Sequence, residues 1–463
     1  MPGAELGAEW RRRAAVLAGL GIGRGDRVII AHGGTAYFFA DLFAVWHLGA
    51  SAICANPTLT AGEFANIADF SGARAVLDGE AGNGALAGLG APVVCLARER
   101  AGGDAPAGGG EPGDEALILF TSGTTGEPKG VVHTFASLQA RLDLNRRHIG
   151  GDVLARSLCV LPTYFGHGLI GNCLTPLAAG CDLFLATGMG MRGMAGLGAA
   201  IDDRRITFMS SVPSFWKIAL KLSRPPARGT LARIQIGSAP LSADLWRAVI
   251  DWGGGAPVAN LYGITEVANW AAGASSADFE PEDGLVGRMW GGEAAVLDGS
   301  GEHRSEGEGE LLLKTPSVMA GYFRRPDLTA PVLRDGWFHT GDAGRIGPDG
   351  IIRLTGRLKT EINRAGMKIQ PEEIDMLLER HEEVLEACAF GVPDAVSGEI
   401  VGAAVRLADG AQADAAALRS WCLERIRRES VPEKWYLVDD LPKTDRGKID
   451  RKKVMEHCMD GSK

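Results

Sequence analysis

Residues 119–133 read LFTSGTTGEPKGVVH, and between Thr121 and Gly130 they hold four hydroxyl side chains, three glycines and one lysine. Such a set could grip an anion. Glycine frees backbone N–H groups for close approach, and hydroxyls and an ammonium add further donors. A Walker A loop is excluded by register, because that motif needs Gly, four residues, then Gly-Lys-Ser/Thr. Counted from Gly123, the second glycine falls on Pro128 and the hydroxyl on Gly130, so Lys129 alone is in place. Pro128 also has no N–H to donate. A phosphate held here would depend on the hydroxyls of Thr121, Ser122, Thr124 and Thr125. A mobile Gly/Ser/Thr linker has the same composition, so the rest of the chain must decide.

The 463 residues are 46% hydrophobic and 23% charged, which suits a globular chain of roughly two to four domains and not a disordered one. A formal net charge of -9 gives no overall attraction to nucleic acid, so an anionic ligand must be met by local groups. The eight cysteines (54, 95, 159, 173, 181, 388, 422 and 458) form no Cys-x-x-Cys pair and suggest neither a zinc cage nor a disulfide framework. The N-terminal stretch MPGAELGAEWRRR has acids before its arginines and no long apolar run, unlike a secretory signal, and no segment reaches the length of a membrane span. The expectation is a cytoplasmic protein with no membrane or nucleic-acid partner.

Around the loop, short β-rich runs recur at 26–32, 116–122, 157–163, 181–187, 205–213, 233–240 and 257–266. Helix-period stretches at 39–50, 137–149 and 242–252 lie between them. Alternation of this kind predicts parallel sheets covered by helices, with ligands gathered beyond the carboxyl ends of the strands. Residues 98–115 read as a mobile Gly/Ala/Pro-rich surface loop. After about residue 285 the chain turns to Gly-punctuated β segments, then to a compact α+β pattern of about 100 residues. The predicted fold is therefore α/β: a large N-terminal domain (1–355) of helix-covered sheets with a β-rich subdomain, and a small mobile α+β C-terminal domain (361–463). The boundary falls at TGRLKT, so 356–360 is the expected hinge.

Seven motifs run in order along the chain: the opening stretch, GSAPL (237–241), YGITE (262–266), MAGYFRRPDLT (319–329), GWFHTGD (336–342), GRLKTEINRAGMKIQPEEID (356–375) and LPKTDRGKIDR (441–451). In content and order they resemble the adenylate-forming superfamily, in its acyl- and aryl-CoA synthetase branch. The resemblance implies ATP, Mg2+ and coenzyme A as cofactors, an acyl-adenylate intermediate, and alternation of the small domain between two half-reactions. It assigns Thr121, Ser122, Gly123, Thr124, Thr125, Gly126 and Lys129 to the departing phosphates, Thr265 to the α-phosphate and Glu266 to magnesium. Tyr262 would stack on adenine beside the backbone of Gly237, Ser238 and Ala239, and Asp342 would accept the ribose hydroxyls with Arg357 close by. Lys448 would bridge carboxylate and α-phosphate in the first step. Lys359 would be the hinge, and Gly366 would admit the pantetheine arm in the second.

The same resemblance puts the acyl pocket at 161–172, 210–216, the GSA turn and the residues after YGITE. Its expected lining is Tyr164, Phe165, His167, Gly168, Ser211, Asn269 and Trp270. No acid occurs between Leu161 and Asn172, which disfavours an α-amino acid, since a buried ammonium needs a partner. An aryl or bulky hydrophobic carboxylic acid is expected. The chain departs from the family in starting late, in having Thr360 after the hinge, and in carrying Phe165 where a His is common, with His167 two places on. Three readings remain: transfer to coenzyme A, transfer to a carrier-protein thiol, and a member that runs only the thioester half-reaction or binds without turnover.

Overall fold

The computed structural model describes residues 1–460 except 102, 122–128, 365–366, 395–396 and 445–446. Three sheets organise the described residues. In the first, strands Arg27–Ile30, Ser51–Cys54, Ala75–Leu77, Val93–Val94 and Glu115–Thr121 lie parallel. The sequence pattern did not reveal the next strand, Lys129–Thr134. It returns antiparallel along Glu115–Thr121, setting Thr121 opposite Lys129. The hydroxyl-rich loop thus joins the two strands of a hairpin, whereas a Walker loop runs from strand to helix. Its motif buries a strand because Val131, Val132 and His133 are buried while the loop chemistry dominates the reading.

The second sheet starts parallel, through Asp182–Leu185, Arg156–Cys159, Phe208–Ser211, Arg233–Gly237 and Val258–Ile264. It then turns antiparallel, through Asn269–Ser275, Leu285–Met289, Ile352–Arg357, Trp337–Ile346, Gly307–Lys314, Glu293–Leu297 and His303–Arg304. The helix-covered part and the β-rich part are one continuous sheet, and YGITE ends the strand that borders the change of direction. The third sheet, built from strands between Ile362 and Leu437, has its own core of Ile374, Leu378, Val401, Val405, Leu418 and Cys422.

Local signals account for the helices around the site. Thr134 caps helix Phe135–Ile149, its hydroxyl accepting from Ser137 N–H while Ser137 answers with its own side chain. Pro213 opens helix Pro213–Leu222, where a missing N–H costs nothing. The 98–115 loop is less free than expected. Gly109 N–H donates to the His47 carbonyl (3.1 Å), and Gly49, at φ 70°, leaves no room for a Cβ beside Gly109.

Candidate active site

At one end of the site, antiparallel register sets Asp342 opposite Arg357. Arg357 Nε lies 2.8 Å from Asp342 Oδ1, and the Tyr262 hydroxyl donates to Oδ2 at 2.6 Å. Burial raises the Asp342 pKa against the pull of Arg357, and burial beside that carboxylate pushes the Tyr262 hydroxyl well above its ordinary range. The turn before Asp342 is pinned: Gly341 N–H donates to Glu310 (2.9 Å), and the Thr340 hydroxyl donates to the Leu311 carbonyl (2.7 Å). Gly341 sits at φ 70°, a conformation glycine adopts without strain.

Alongside, Glu266 Oε1 accepts from the Tyr322 hydroxyl (2.8 Å) and lies 3.6 Å from Lys129 Nζ, which itself stands 3.9 Å above the Tyr322 ring. Burial lowers the Lys129 pKa, with Glu266 opposing the shift and Lys359 and Arg357 adding to it.

The short turn Thr265–Val267 between these groups is gripped carbonyl by carbonyl. His133 Nε2–H donates to Thr265 (2.8 Å), Met319 N–H to Glu266 (2.7 Å), and Arg141 and the Ser317 hydroxyl to Val267 (3.3 and 2.9 Å). Arg141 is fully buried and also reaches Thr315, and desolvation lowers its pKa to about 9. Ala268 and Asn269 follow at φ 58° and 90°, two successive left-handed residues that such a grip must sustain.

At the other end, His167 opens a π-helix, His167–Leu174. Its Nδ1 shares a hydrogen bond with Ser238 (2.8 Å) and its Nε2 with Ser210 (2.7 Å). Burial, with a further push from the Lys448 charge, lowers its pKa to about 3, so the ring is neutral at ordinary pH. Ser238 holds φ 70° to deliver its hydroxyl. Gly237 and Ala239 flank it, with an added Cβ on Gly237 falling 3.7 Å from His167.

Gly168 is dictated by contact, since a Cβ there would lie 2.0 Å from the Pro162 carbonyl oxygen. Tyr164 and Phe165 are half-buried, and Phe165 meets His167 edge to face. Trp270 is buried behind the imidazole (5.5 Å), among Phe208 and Trp290, as a core residue. The Asn269 amide oxygen accepts from Gly171 N–H (3.2 Å) and Trp270 Nε1–H (3.3 Å). Strand alternation turns Ser211 to the face opposite Ser210, so Ser210 is the serine that meets His167.

Ser122, Gly123, Thr124, Thr125, Gly126 and Gly366 lie outside the described residues, as does the side chain of Thr121. Sequence reasoning missed Ser210, His133, Arg141 and Tyr322. The first two lay inside quoted segments, and Tyr322 lay inside MAGYFRRPDLT.

Residues 3–323 match the AMP-binding enzyme family, and residues 373–448 match the AMP-binding enzyme C-terminal domain. The chain belongs to this adenylate-forming family, as an acid–thiol ligase. A probable CoA ligase of Humulus lupulus is 32% identical over 96% of this chain and 89% of its own length. Sulfoacetate–CoA ligase of Cupriavidus necator is 36% identical over 75% and 68%. ATP-bound MatB from Rhodopseudomonas palustris superposes with a TM-score of 0.88 at 29% identity, covering 99% of this chain and 94% of the other. Among the described residues no helix is long and apolar enough to cross a membrane.

Proposed function

We propose that the chain activates a carboxylic acid with ATP and passes the acyl group to coenzyme A. A carboxylate oxygen attacks the α-phosphorus, the bond to the bridging oxygen breaks, and pyrophosphate leaves. The CoA sulfur then attacks the acyl carbonyl, AMP departs, and the thiol proton passes to solvent. The observation that carries the reading is the grouping of motif residues about the turn Thr265–Val267, Asp342 with Arg357 and Tyr262 on one side and Glu266 with Lys129 and Tyr322 on the other; Lys448 is proposed to supply the cation where two anions would have to meet.

In this reading Thr265 contacts the α-phosphate, its turn held by His133, Met319 and Arg141. Lys129 and the loop 121–126 take the departing phosphates. Tyr262 and the Gly237–Ala239 backbone border adenine. Both Asp342 oxygens are already engaged, so ribose hydroxyls would replace the Tyr262 contact or share with Arg357. Glu266 is the group that would hold Mg2+. It is a single carboxylate, and no cluster of three or more His, Cys, Asp or Glu lies among the described residues. This donor set fits an ion that completes its shell with phosphate and water oxygens. Bound there, the ion would neutralise phosphate charge as it develops.

Lys359 is proposed as the hinge, and Gly366 as the point where the pantetheine arm passes after the C-terminal unit has turned. The acid is proposed to be aryl or bulky and hydrophobic. In support, His167 is neutral, Tyr164 and Phe165 are aromatic, and the 161–172 segment holds no acid to meet an ammonium. A panel of aryl, polycyclic and medium-chain acids, assayed for AMP release with CoA, tests this. Aryl acids should lead the panel, and a lead by small dianionic or amino acids would contradict the substrate reading. Thioester formed on a carrier protein but not on CoA would contradict the acceptor.

A further inference from the structure

Helix Pro371–Leu378 is bound by charge at both ends. Just past its C-terminus, Glu379 and Arg380 are neighbours of opposite sign, and each meets its complement outside the third sheet. Lys217 Nζ, on helix Pro213–Leu222, donates to Glu379 Oε2 at 2.6 Å. Arg380 pairs with Asp283, whose other oxygen accepts from Ala243 N–H at 2.8 Å where helix Ala243–Trp252 begins.

Near the N-terminal end, Arg451 Nη2 reaches Glu372 (3.1 Å) and Asp375 (2.8 Å), and its Nη1 donates to the Ala389 carbonyl. Arg451 lies three residues beyond Lys448. The Thr360 hydroxyl, next to Lys359, also reaches Glu372 (3.0 Å). A continuous set of contacts thus runs from Lys217 and Asp283 through the helix to Arg451 and the segment that carries Lys448.

We propose that Lys217 and Asp283 are positioning residues for the adenylation step. With Glu379 and Arg380 they form a two-pair latch that holds the helix and, through Arg451, the segment that carries Lys448 in one docking. The inference rests on the two-step reading above, in which the C-terminal unit must later turn away. Two features suit that role. The pairs have opposite polarity, so a shifted docking sets like charges together and the latch selects one register. All four side chains are partly exposed, so each pair is weak and releasable.

The test compares acid-dependent ATP–pyrophosphate exchange with thioester formation from synthetic acyl-adenylate and CoA. Lys217→Glu should slow exchange about three- to tenfold and leave the second reaction unchanged or faster. Adding Glu379→Lys should restore exchange to within about twofold. Arg380→Glu, which leaves the Asp283–Ala243 contact intact, should behave like Lys217→Glu. Raising salt should lower the ratio of the two rates in wild type but not in the Lys217→Glu, Arg380→Glu double variant. Loss of both reactions together, an unchanged ratio in either single variant, or no recovery on charge swap would overturn the latch. Wild-type protein without exchange would overturn the reaction reading itself, and the latch with it.

Discussion

At the proposed acyl end, His167 sits neutral between two serine hydroxyls, backed by Trp270. At the proposed nucleotide end, charged groups stand in pairs: Asp342 with Arg357, and Glu266 with Lys129. The proposed roles of the two ends account for the contrast. In that reading a neutral aromatic wall lets an acyl group be selected by shape. Phosphates need charge, and pairing keeps those side chains satisfied until a nucleotide replaces one partner. Lys448, from the C-terminal unit, is the cation proposed to act between them, on a part proposed to move.

Removing that boundary charge should have the largest effect. Lys448→Ala should cut ATP–pyrophosphate exchange about 100-fold or more while thioester formation from supplied acyl-adenylate stays within about threefold. Equal loss of both would remove the division of labour.

Gly168→Ala attacks the acyl end alone. The new Cβ would meet the Pro162 carbonyl at 2.0 Å, a backbone atom that cannot swing aside. A loss of about 2–3 kcal/mol in denaturant unfolding is expected, and an unchanged midpoint would mean that the π-helix shifts freely.

His167→Asn tests neutrality. A histidine whose folded pKa lies near 3 binds fewer protons than its unfolded form, whose pKa is about 6.5. Its contribution is therefore present above pH 6.5 and is lost as pH falls from there towards 3. Between pH 7 and pH 5 wild type should lose about 2 kcal/mol more stability than the variant. Equal losses would show that the ring is not held neutral. The smallest effect is expected from Asp342→Asn, a rise of about tenfold in KM for ATP with KM for the acid unchanged. A parallel rise in both would end the separation of the two regions.

Much of the architecture was legible because strand–helix alternation reports burial on both sheet faces, as in the parallel runs from 157 to 264. Strand Lys129–Thr134 was not, since its buried residues Val131, Val132 and His133 sit inside a motif read for its loop. Nothing in HGLIGNCL separates a π-helix from an α-helix; the close approach of Gly168 to Pro162 and of Gly171 to Asn269 is visible only in the fold. The motif residues were legible through their order. Arg141 was not. In SLQARLDLNRRHI it reads as one more basic residue on a solvated helix, and its partners are a carbonyl and hydroxyls brought from residues 267, 315 and 317 by the fold. Ser210 was not singled out, because only strand phase tells which of Ser210 and Ser211 faces His167.

The account stands most directly on product analysis with an accepted aryl acid, ATP, magnesium and CoA. It predicts AMP, pyrophosphate and acyl-CoA in equal amounts, with acid-dependent exchange of pyrophosphate into ATP before CoA is added. Formation of ADP and phosphate, or exchange that requires CoA, would contradict it.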